Sequence, residues 1–168
     1  MTEDEFDEFY STSFGRLTSQ LYAMIGSRDE AQECVQEAFA RAWSHRRKLE
    51  RAEHPEAWVR TTAYRLAVSR WRRTRLAGRA RDRSVGSPVS TAGPDENHVA
   101  LVAALRQLPE PQRRALVLHH LCDLPVDEVA QETGAPAGTV KARLSRGRAT
   151  LLALLDPDQD LTEGVTGV

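Results

Sequence analysis

Cationic and hydroxyl side chains dominate one segment near the carboxyl end of the sequence. They are Thr139, Lys141, Arg143, Ser145, Arg146 and Arg148, and no acidic residue interrupts them. Arg and Lys bind phosphate oxygens and the acceptor edge of guanine, and hydroxyls bind phosphates or bases. An ordinary solvated helix, which is the alternative, usually carries both charge signs. We therefore interpret this segment as a DNA-binding element.

A second set of residues mixes aromatic rings with cations. It comprises Trp58, Arg60, Tyr64, Arg65, Arg70, Trp71, Arg72 and Arg73. Proteins that bind single-stranded DNA stack bases on aromatic rings and place cations along the backbone. The set therefore predicts contacts with unpaired bases. The alternative places Trp58 and Trp71 in the core, and for Trp58 we expect that outcome.

A third set has the composition of a protein interface. Gln36, Glu37 and Arg41 recur at helical steps beside Phe39 and Trp43. Interfaces combine aromatic residues and Arg with polar groups at their rim. The set predicts a partner-binding ridge, although an ordinary amphipathic helix would show the same spacing.

Patterns typical of metal sites and enzymes are missing from the sequence. Cys34 and Cys122 lie far apart in apolar helical patterns, where we expect buried thiols. His119 and His120 are adjacent, so on a helix they point about 100° apart and do not converge as ligands. There is no glycine-rich phosphate loop, HExxH motif or nucleophile elbow. We predict no metal, no cofactor and no enzymatic activity.

Hydropathy indicates the cellular compartment of the protein, and charge indicates the kind of partner that it binds. Apolar runs stay below the roughly 20 residues of a membrane span, and the residues after Met1 are acidic, unlike a signal peptide. We therefore expect a cytoplasmic protein without membrane insertion. The net charge of −1 conceals an acidic stretch to residue 40 and a basic one from residue 41 to 83. A basic block indicates an anionic partner.

Helices must position these side chains, since apolar residues recur at three- and four-residue steps without strand-like alternation. The first predicted helix ends at Gly26, Ser27 caps the second, and Pro55 begins a third that ends at Gly78. Residues 79–94 are rich in Gly, Ser and Pro, which predicts a flexible linker. The predicted fold is all-α, with two small helical domains at 1–78 and 95–155, of three and four helices, and a disordered tail at 156–168.

The last two predicted helices form a helix-turn-helix. A short helix begins at Pro125 and ends at Gly134, which can adopt the left-handed conformation of a tight cap. Pro136 starts the next helix, on which Val140 and Leu144 face inward. The second helix of such a motif enters the major groove. The motif alone does not distinguish between kinds of DNA-binding protein.

Two stretches together resemble a known family. Residues 29–43 resemble the polymerase-binding helix of the extracytoplasmic-function (ECF) group of sigma-70 RNA polymerase sigma factors. The carboxyl-terminal half resembles that group's fourth conserved region, through Leu108, Pro109, Arg113, Leu118, Glu128, Val129, Ala130, Gly134 and residues 138–144. The two matches leave out little besides the linker and the tail. Within the group, the chain resembles the actinobacterial SigE-like subfamily.

The resemblance implies a sigma factor that binds core RNA polymerase, recognises the minus-35 and minus-10 elements of promoter DNA and helps to open it. The second helix would dock on the β′ clamp helices, and the carboxyl-terminal domain would sit on the β flap and read the minus-35 element. The implied polymerase contacts are Glu33, Gln36, Glu37, Phe39, Arg41 and Trp43.

The resemblance also assigns the loop before the third helix, residues 48–54, to a flipped base of the minus-10 element. The implied contacts there and on the third helix are Lys48, Arg51, His54, Arg60, Tyr64, Arg65, Ser69, Trp71, Arg72 and Arg73. Arg65 and Ser69 stand where the family often has Asn and Asp, which affects the expected sequence preference. Pro136 replaces a frequent Ser, which changes the helix cap.

Other functions remain open. A dimeric repressor would bind a palindrome and need a dimerisation surface, which neither the linker nor the tail offers, so we expect a monomer when free. A regulatory protein could instead occupy polymerase without initiating transcription. An anti-sigma factor is a common partner in the family and is a further partner that the resemblance allows.

Overall fold

Helices account for the regular structure of residues 1–77 and 96–156, which are the residues that this computed structural model describes. The all-α prediction is confirmed. The helices belong to two compact units. The predicted linker at 79–94, Gly78 and all of the predicted tail except Asp156 lie outside the described residues.

Among residues 1–77, the first unit contains four helices. They are α1 (Glu3–Ile25), α2 (Arg28–Ser44), α3 (Arg46–Arg51) and α4 (Pro55–Leu76). Thr2 and Glu5 form a reciprocal capping box at the start of α1, and Gly26 ends it in the left-handed conformation with φ 82°. The Ser27 hydroxyl accepts a hydrogen bond from the Glu30 amide, so the predicted cap of α2 is confirmed.

An aromatic cluster forms one end of this unit's core. Phe39 on α2 is 2% exposed, and the rings of Phe6, Phe9 and Tyr10 on α1 lie 6.2, 5.4 and 4.9 Å from it. All three pairs meet edge to face, which is one of the favoured arrangements of aromatic rings. The cluster fixes α1 against α2, and α4 packs on both helices.

The short helix α3 occupies part of the segment, residues 48–54, that was expected to be a loop. Residues 46–51 are helical, so Lys48 and Arg51 lie on a helix and only residues 52–54 connect it to α4. Leu49 is buried and anchors the helix. A single apolar residue gives no periodicity, which explains why the sequence predicted three helices here.

Over its described residues, 96–156, the second unit contains the four predicted helices, with one irregularity. They are α5 (Glu96–Leu105), α6 (Glu110–Leu116), α7 (Val126–Thr133) and α8 (Ala137–Leu155), and α6 continues into a π-helical turn, Val117–Leu121. Apart from Gly147, the buried residues within 96–156 are aliphatic, and the sequence from residue 92 onward contains no Phe, Tyr or Trp. Its core therefore depends on close helix packing without large rings.

The helix-turn-helix is confirmed in α7 and α8. Gly134 has φ 74° and its amide bonds the Ala130 carbonyl, as the predicted left-handed cap requires. Pro136 forms the N-cap of α8, and Val140 and Leu144 are buried beneath it. Gly147, also buried, lets α8 approach α6 closely at Leu116.

Candidate nucleic-acid and polymerase interfaces

The outer surface of α8 is cationic. Thr139, Lys141, Ser145, Arg146 and Arg148 are exposed, as the sequence predicted, and Arg143 is half-buried. No acidic residue lies within α8. The arrangement leaves an uninterrupted positive face on the second helix of the helix-turn-helix, where phosphate and base contacts are made in such motifs.

A histidine beside this face adds no charge at neutral pH. Burial, followed by the neighbouring charges of His119 and Arg148, lowers the pKa of His120 below its usual range. His119 is held by a 2.8 Å contact between its Nδ1 and the Leu124 carbonyl. The cations of this face are therefore Lys and Arg.

The predicted minus-10 residues divide into an exposed and a buried group. The exposed group comprises Lys48, Arg51, His54, Arg65, Ser69, Trp71, Arg72 and Arg73. Arg60, in contrast, is 4% exposed and donates a hydrogen bond to Gln20 at 3.3 Å, and Tyr64 is also buried. Residue type alone gave no sign of this for Arg60, since Arg is mostly exposed in proteins. Helical spacing did carry a signal, because Arg60 and Tyr64 fall on the same face of α4 as the buried Ala63 and Ala67.

Trp71 lies outside the core. Its side chain is 56% exposed, and the Arg75 guanidinium lies 5.0 Å from the ring centroid, within the range of a cation–π contact. Trp58, which we expected in the core, is half-buried, with its ring 5.5 Å from that of His45. An exposed indole beside cations can stack on an unpaired base.

The α2 ridge is defined here as Glu33, Gln36, Glu37 and Arg41. Glu33, Gln36 and Arg41 are exposed and Glu37 is partly exposed. Two residues predicted with them are less accessible. Phe39 belongs to the aromatic cluster, and Trp43 is half-buried under the Arg46 guanidinium, 4.2 Å from its ring.

Glu37 is held between two guanidinium groups. Its Oε1 accepts a hydrogen bond from Arg41 on the same helix at 3.0 Å, and its Oε2 accepts one from Arg70 on α4 at 2.9 Å. Burial raises the pKa of Glu37, but the hydrogen bonds from Arg70 and Arg41 outweigh it and hold the pKa below its usual value. Glu37 is therefore charged at neutral pH.

The described residues show no sign of a metal centre or a membrane span. Within 1–77 and 96–156, His, Cys, Asp and Glu side chains do not gather in groups of three that could hold an ion. Over the same residues, the helices are too short or too polar to cross a bilayer. Cys34 is buried, as predicted, and burial raises its thiol pKa to about 11, whereas Cys122 is partly exposed.

Comparison with known proteins identifies both units. Residues 9–77 match the family model "Sigma-70 region 2" and residues 98–151 match "Sigma-70, region 4". The ECF RNA polymerase sigma factor EcfG of Rhodopseudomonas palustris is 30% identical over 139 residues, which are 81% of this chain and 77% of that protein. RNA polymerase sigma-E factor of Streptomyces coelicolor is 28% identical over 150 residues, 88% of this chain and 84% of the relative.

A solved structure agrees with these matches. The sigma factor RpoE of Bartonella quintana, solved in complex with the anti-sigma factor NepR, has a TM-score of 0.75 and 25% identity, covering 92% of this chain and 98% of that one. CnrH, solved with the cytosolic domain of CnrY, shares the fold with a TM-score of 0.67. The chain belongs to the ECF group of the sigma-70 family, the RNA polymerase sigma factors that direct transcription initiation from promoters.

Proposed function

We propose that the two units grip different parts of one promoter while both are bound to core RNA polymerase. Residues 1–78 would bind the β′ clamp helices and open the minus-10 element, and residues 95–155 would sit on the β flap and read the minus-35 element. Residues 79–94 would connect them. The observation that carries this proposal is the acid-free cationic face of α8.

The upstream element would be read by α8. Its exposed residues Thr139, Lys141, Ser145, Arg146 and Arg148 combine donors for guanine and phosphate with hydroxyls that bind either. Arg143 is half-buried, and its long side chain would reach DNA with the guanidinium group.

Promoter opening would use the exposed side of α4. Trp71 supplies the stacking surface, and Arg72 and Arg73 supply charge for the backbone. Lys48, Arg51 and His54 would lie at the captured base, on α3 and the short connection that follows. Arg65 and Ser69 are exposed where they would contact the minus-10 element, so we propose that they set an unusual sequence preference. Arg60 and Tyr64 are left out, because both are buried.

Polymerase binding would use the α2 ridge. Charged and amide groups of Glu33, Gln36, Glu37 and Arg41 stand on one exposed side of α2. Trp43 can contribute the partly apolar area that interfaces contain, whereas Phe39 would act from within the core by fixing α2.

The first experiment reconstitutes the protein with core RNA polymerase and a promoter library. Start-site-specific transcripts are the expected result. Binding of a palindrome in the absence of polymerase would favour a repressor. Polymerase binding without transcripts would favour a protein that only occupies the enzyme.

Replacement of Arg143 and Arg146 by Ala tests the α8 assignment. We expect weaker binding to the minus-35 element and a salt dependence reduced by about one unit per lost phosphate contact, with core affinity unchanged. Arg106→Ala is the matched control, since Arg106 is exposed in the same unit but lies outside α8. Loss of core binding instead of DNA binding would contradict the assignment.

Charge reversal at Glu37 tests the ridge. Glu37→Lys should impair core binding because it places a cation between Arg41 and Arg70 and removes the presented carboxylate. Glu8→Lys makes the same change on an exposed position of α1 and serves as the control. Equal core affinity of both variants and the wild type, with unchanged circular dichroism, would show that the ridge is not the contact.

Further proposals concern the location, oligomeric state, subfamily and protein partner of the chain. The protein would act in the cytoplasm, be monomeric when free, and catalyse nothing itself, since polymerase supplies the chemistry. The similarity to a Streptomyces sigma-E factor supports the SigE-like subfamily. An anti-sigma partner is supported by RpoE of Bartonella quintana, which was solved with the anti-sigma factor NepR. Gel filtration of the protein alone tests the monomer.

A further inference from the structure

We propose that Arg70 is a positioning residue for polymerase binding: it reaches from α4 to fix Glu33 and Glu37 of the α2 ridge, and it is thereby withdrawn from the DNA-binding side of α4. The inference rests on the proposed role of the ridge. In the sequence, Arg70 is one of several cations interleaved with aromatic residues, and nothing in that pattern separates it from Arg72 or Arg73.

The hydrogen bonds of Arg70 distinguish it from Arg72 and Arg73. Arg70 Nη1 donates to Glu33 Oε2 at 3.0 Å, and its Nη2 donates to Glu37 Oε2 at 2.9 Å. The planar guanidinium thus joins two carboxylates that stand one helical turn apart on the neighbouring helix. The side chain of Arg70 is 31% exposed, whereas Arg72 and Arg73 are exposed residues of α4. Only a guanidinium offers two such donors in a fixed geometry.

The pairing leaves Glu37 able to bind a partner. Each carboxylate oxygen has two acceptor positions, and Arg41 and Arg70 each occupy one position on a different oxygen. The Glu37 side chain remains 38% exposed. A donor on polymerase can therefore add to a carboxylate whose rotamer is already fixed. Binding then avoids the entropy loss that ordering a mobile Glu side chain would impose.

A purely structural role explains the geometry less well. The helices α2 and α4 already pack against each other, and each buries apolar residues, among them Ala38 on α2 and Ala63 on α4. Partly exposed ion pairs add little to stability in comparison with such packing. The contacts of Arg70 go to two members of the α2 ridge, so their main consequence is at the surface that the ridge presents.

Arg70→Ala in the full chain, with core RNA polymerase as the titrant, is the decisive variant. We expect core affinity to fall about three- to tenfold, the effect of releasing one or two ordered side chains. Arg70→Lys should recover part of the loss, since an ammonium group lacks the two-armed geometry. The salt dependence of promoter binding at saturating sigma factor should not change, whereas Arg73→Ala should reduce it.

Arg16→Ala is the matched control. Arg16 on α1 forms an ion pair with Glu56 on α4, so this variant also loses a pair between two helices of the same unit, but away from the α2 ridge. It should keep wild-type core affinity. A parallel loss of affinity in Arg16→Ala and Arg70→Ala would reduce Arg70 to a general structural role and overturn the proposal.

A double-mutant cycle tests the route of the effect. If Arg70 acts in part through Glu37, the combined Arg70→Ala and Glu37→Gln variant should lose less core affinity than the sum of the two single losses, because the loss that passes through Glu37 is counted in both. The contact of Arg70 with Glu33 accounts for the part that still adds. Additive losses, or wild-type affinity in a folded Arg70→Ala protein, would overturn the proposal. If Arg70→Ala does not fold, the cycle with Arg70→Lys decides in the same way. A wild-type result for Glu37→Lys would instead refute the proposed ridge itself.

Discussion

Gly147 offers a sharp test of how α8 is held in the second unit. A Cβ atom built on this residue would lie 2.9 Å from Leu116 Cδ1, 3.2 Å from Leu116 Cγ and 3.4 Å from Gln112 Cβ. Leu116 is buried, so its side chain cannot turn into solvent to make room. Gly147→Ala should therefore push α8 away from α6.

The size of the effect follows from two opposing terms. Ala is favoured over Gly inside a helix by up to about 1 kcal/mol, and overpacking of a filled core costs about 1–3 kcal/mol. We expect a net loss of roughly 1 kcal/mol in the free energy of unfolding of the second unit. Gly138→Ala on the same helix meets nothing within 4 Å, so this control should be neutral or stabilising.

The distribution of aromatic residues makes the assay specific. All three Trp residues lie in the first unit, at positions 43, 58 and 71, whereas both units contain helices. Urea unfolding followed by circular dichroism should detect a lower midpoint in Gly147→Ala, while tryptophan fluorescence should show an unchanged transition. If Gly147→Ala is as stable as Gly138→Ala, the close approach of α8 to α6 does not limit stability and the reasoning is wrong.

Two further predictions concern ionisable groups on α2. The pKa values of Glu30 and Glu37 should lie on opposite sides of 4.5, the ordinary value for Glu. Burial raises the pKa of Glu30, whereas the hydrogen bonds from Arg70 and Arg41 overcome burial and lower the pKa of Glu37. The folded-state pKa of Glu37 lies below its unfolded value, so the pairing stabilises the fold above that value and is lost as the pH falls through the folded pKa. As the pH is lowered, Glu30 should therefore become protonated before Glu37, which carbon-13 NMR of the carboxyl groups can follow. Protonation of Glu37 at a higher pH than Glu30 would contradict the prediction. Cys34, with a pKa of about 11, should resist alkylation at pH 8 until urea is added, and mass spectrometry showing it modified before Cys122 would be the opposite result.

Much of the fold could be predicted because local chemistry determines it. Gly26 and Gly134 end helices where a left-handed residue is needed, and Ser27 caps α2 through its own hydroxyl. The positive face of α8 could also be predicted, since buried Val140 and Leu144 fix which side of the helix is exposed.

The remaining features depend on contacts between helices. Arg60 resembles its cationic neighbours in the sequence, yet it is buried and donates a hydrogen bond to Gln20 of α1. Arg70 is committed to the α2 ridge by Glu33 and Glu37, which precede it by 37 and 33 positions. Helical periodicity indicates which face of a helix is apolar but not which residue of another helix it meets. The sequence therefore predicted more cations accessible to DNA than the structure presents, because Arg60 and Arg70 are engaged within the first unit.

The π-helical turn at Val117–Leu121 affects how this unit can change in length. The Cys122 amide reaches back five positions to the Val117 carbonyl at 3.0 Å, so the turn accommodates one residue more than an α-helix would. A deletion within α8 would rotate every later side chain by about 100° around the axis. The same deletion inside the wide turn would tighten it to an ordinary α-helical turn, and because the following residues 122–125 are not helical, no later turn of the same helix would be rotated out of phase. A single-residue deletion should therefore be tolerated better at that turn than within α8.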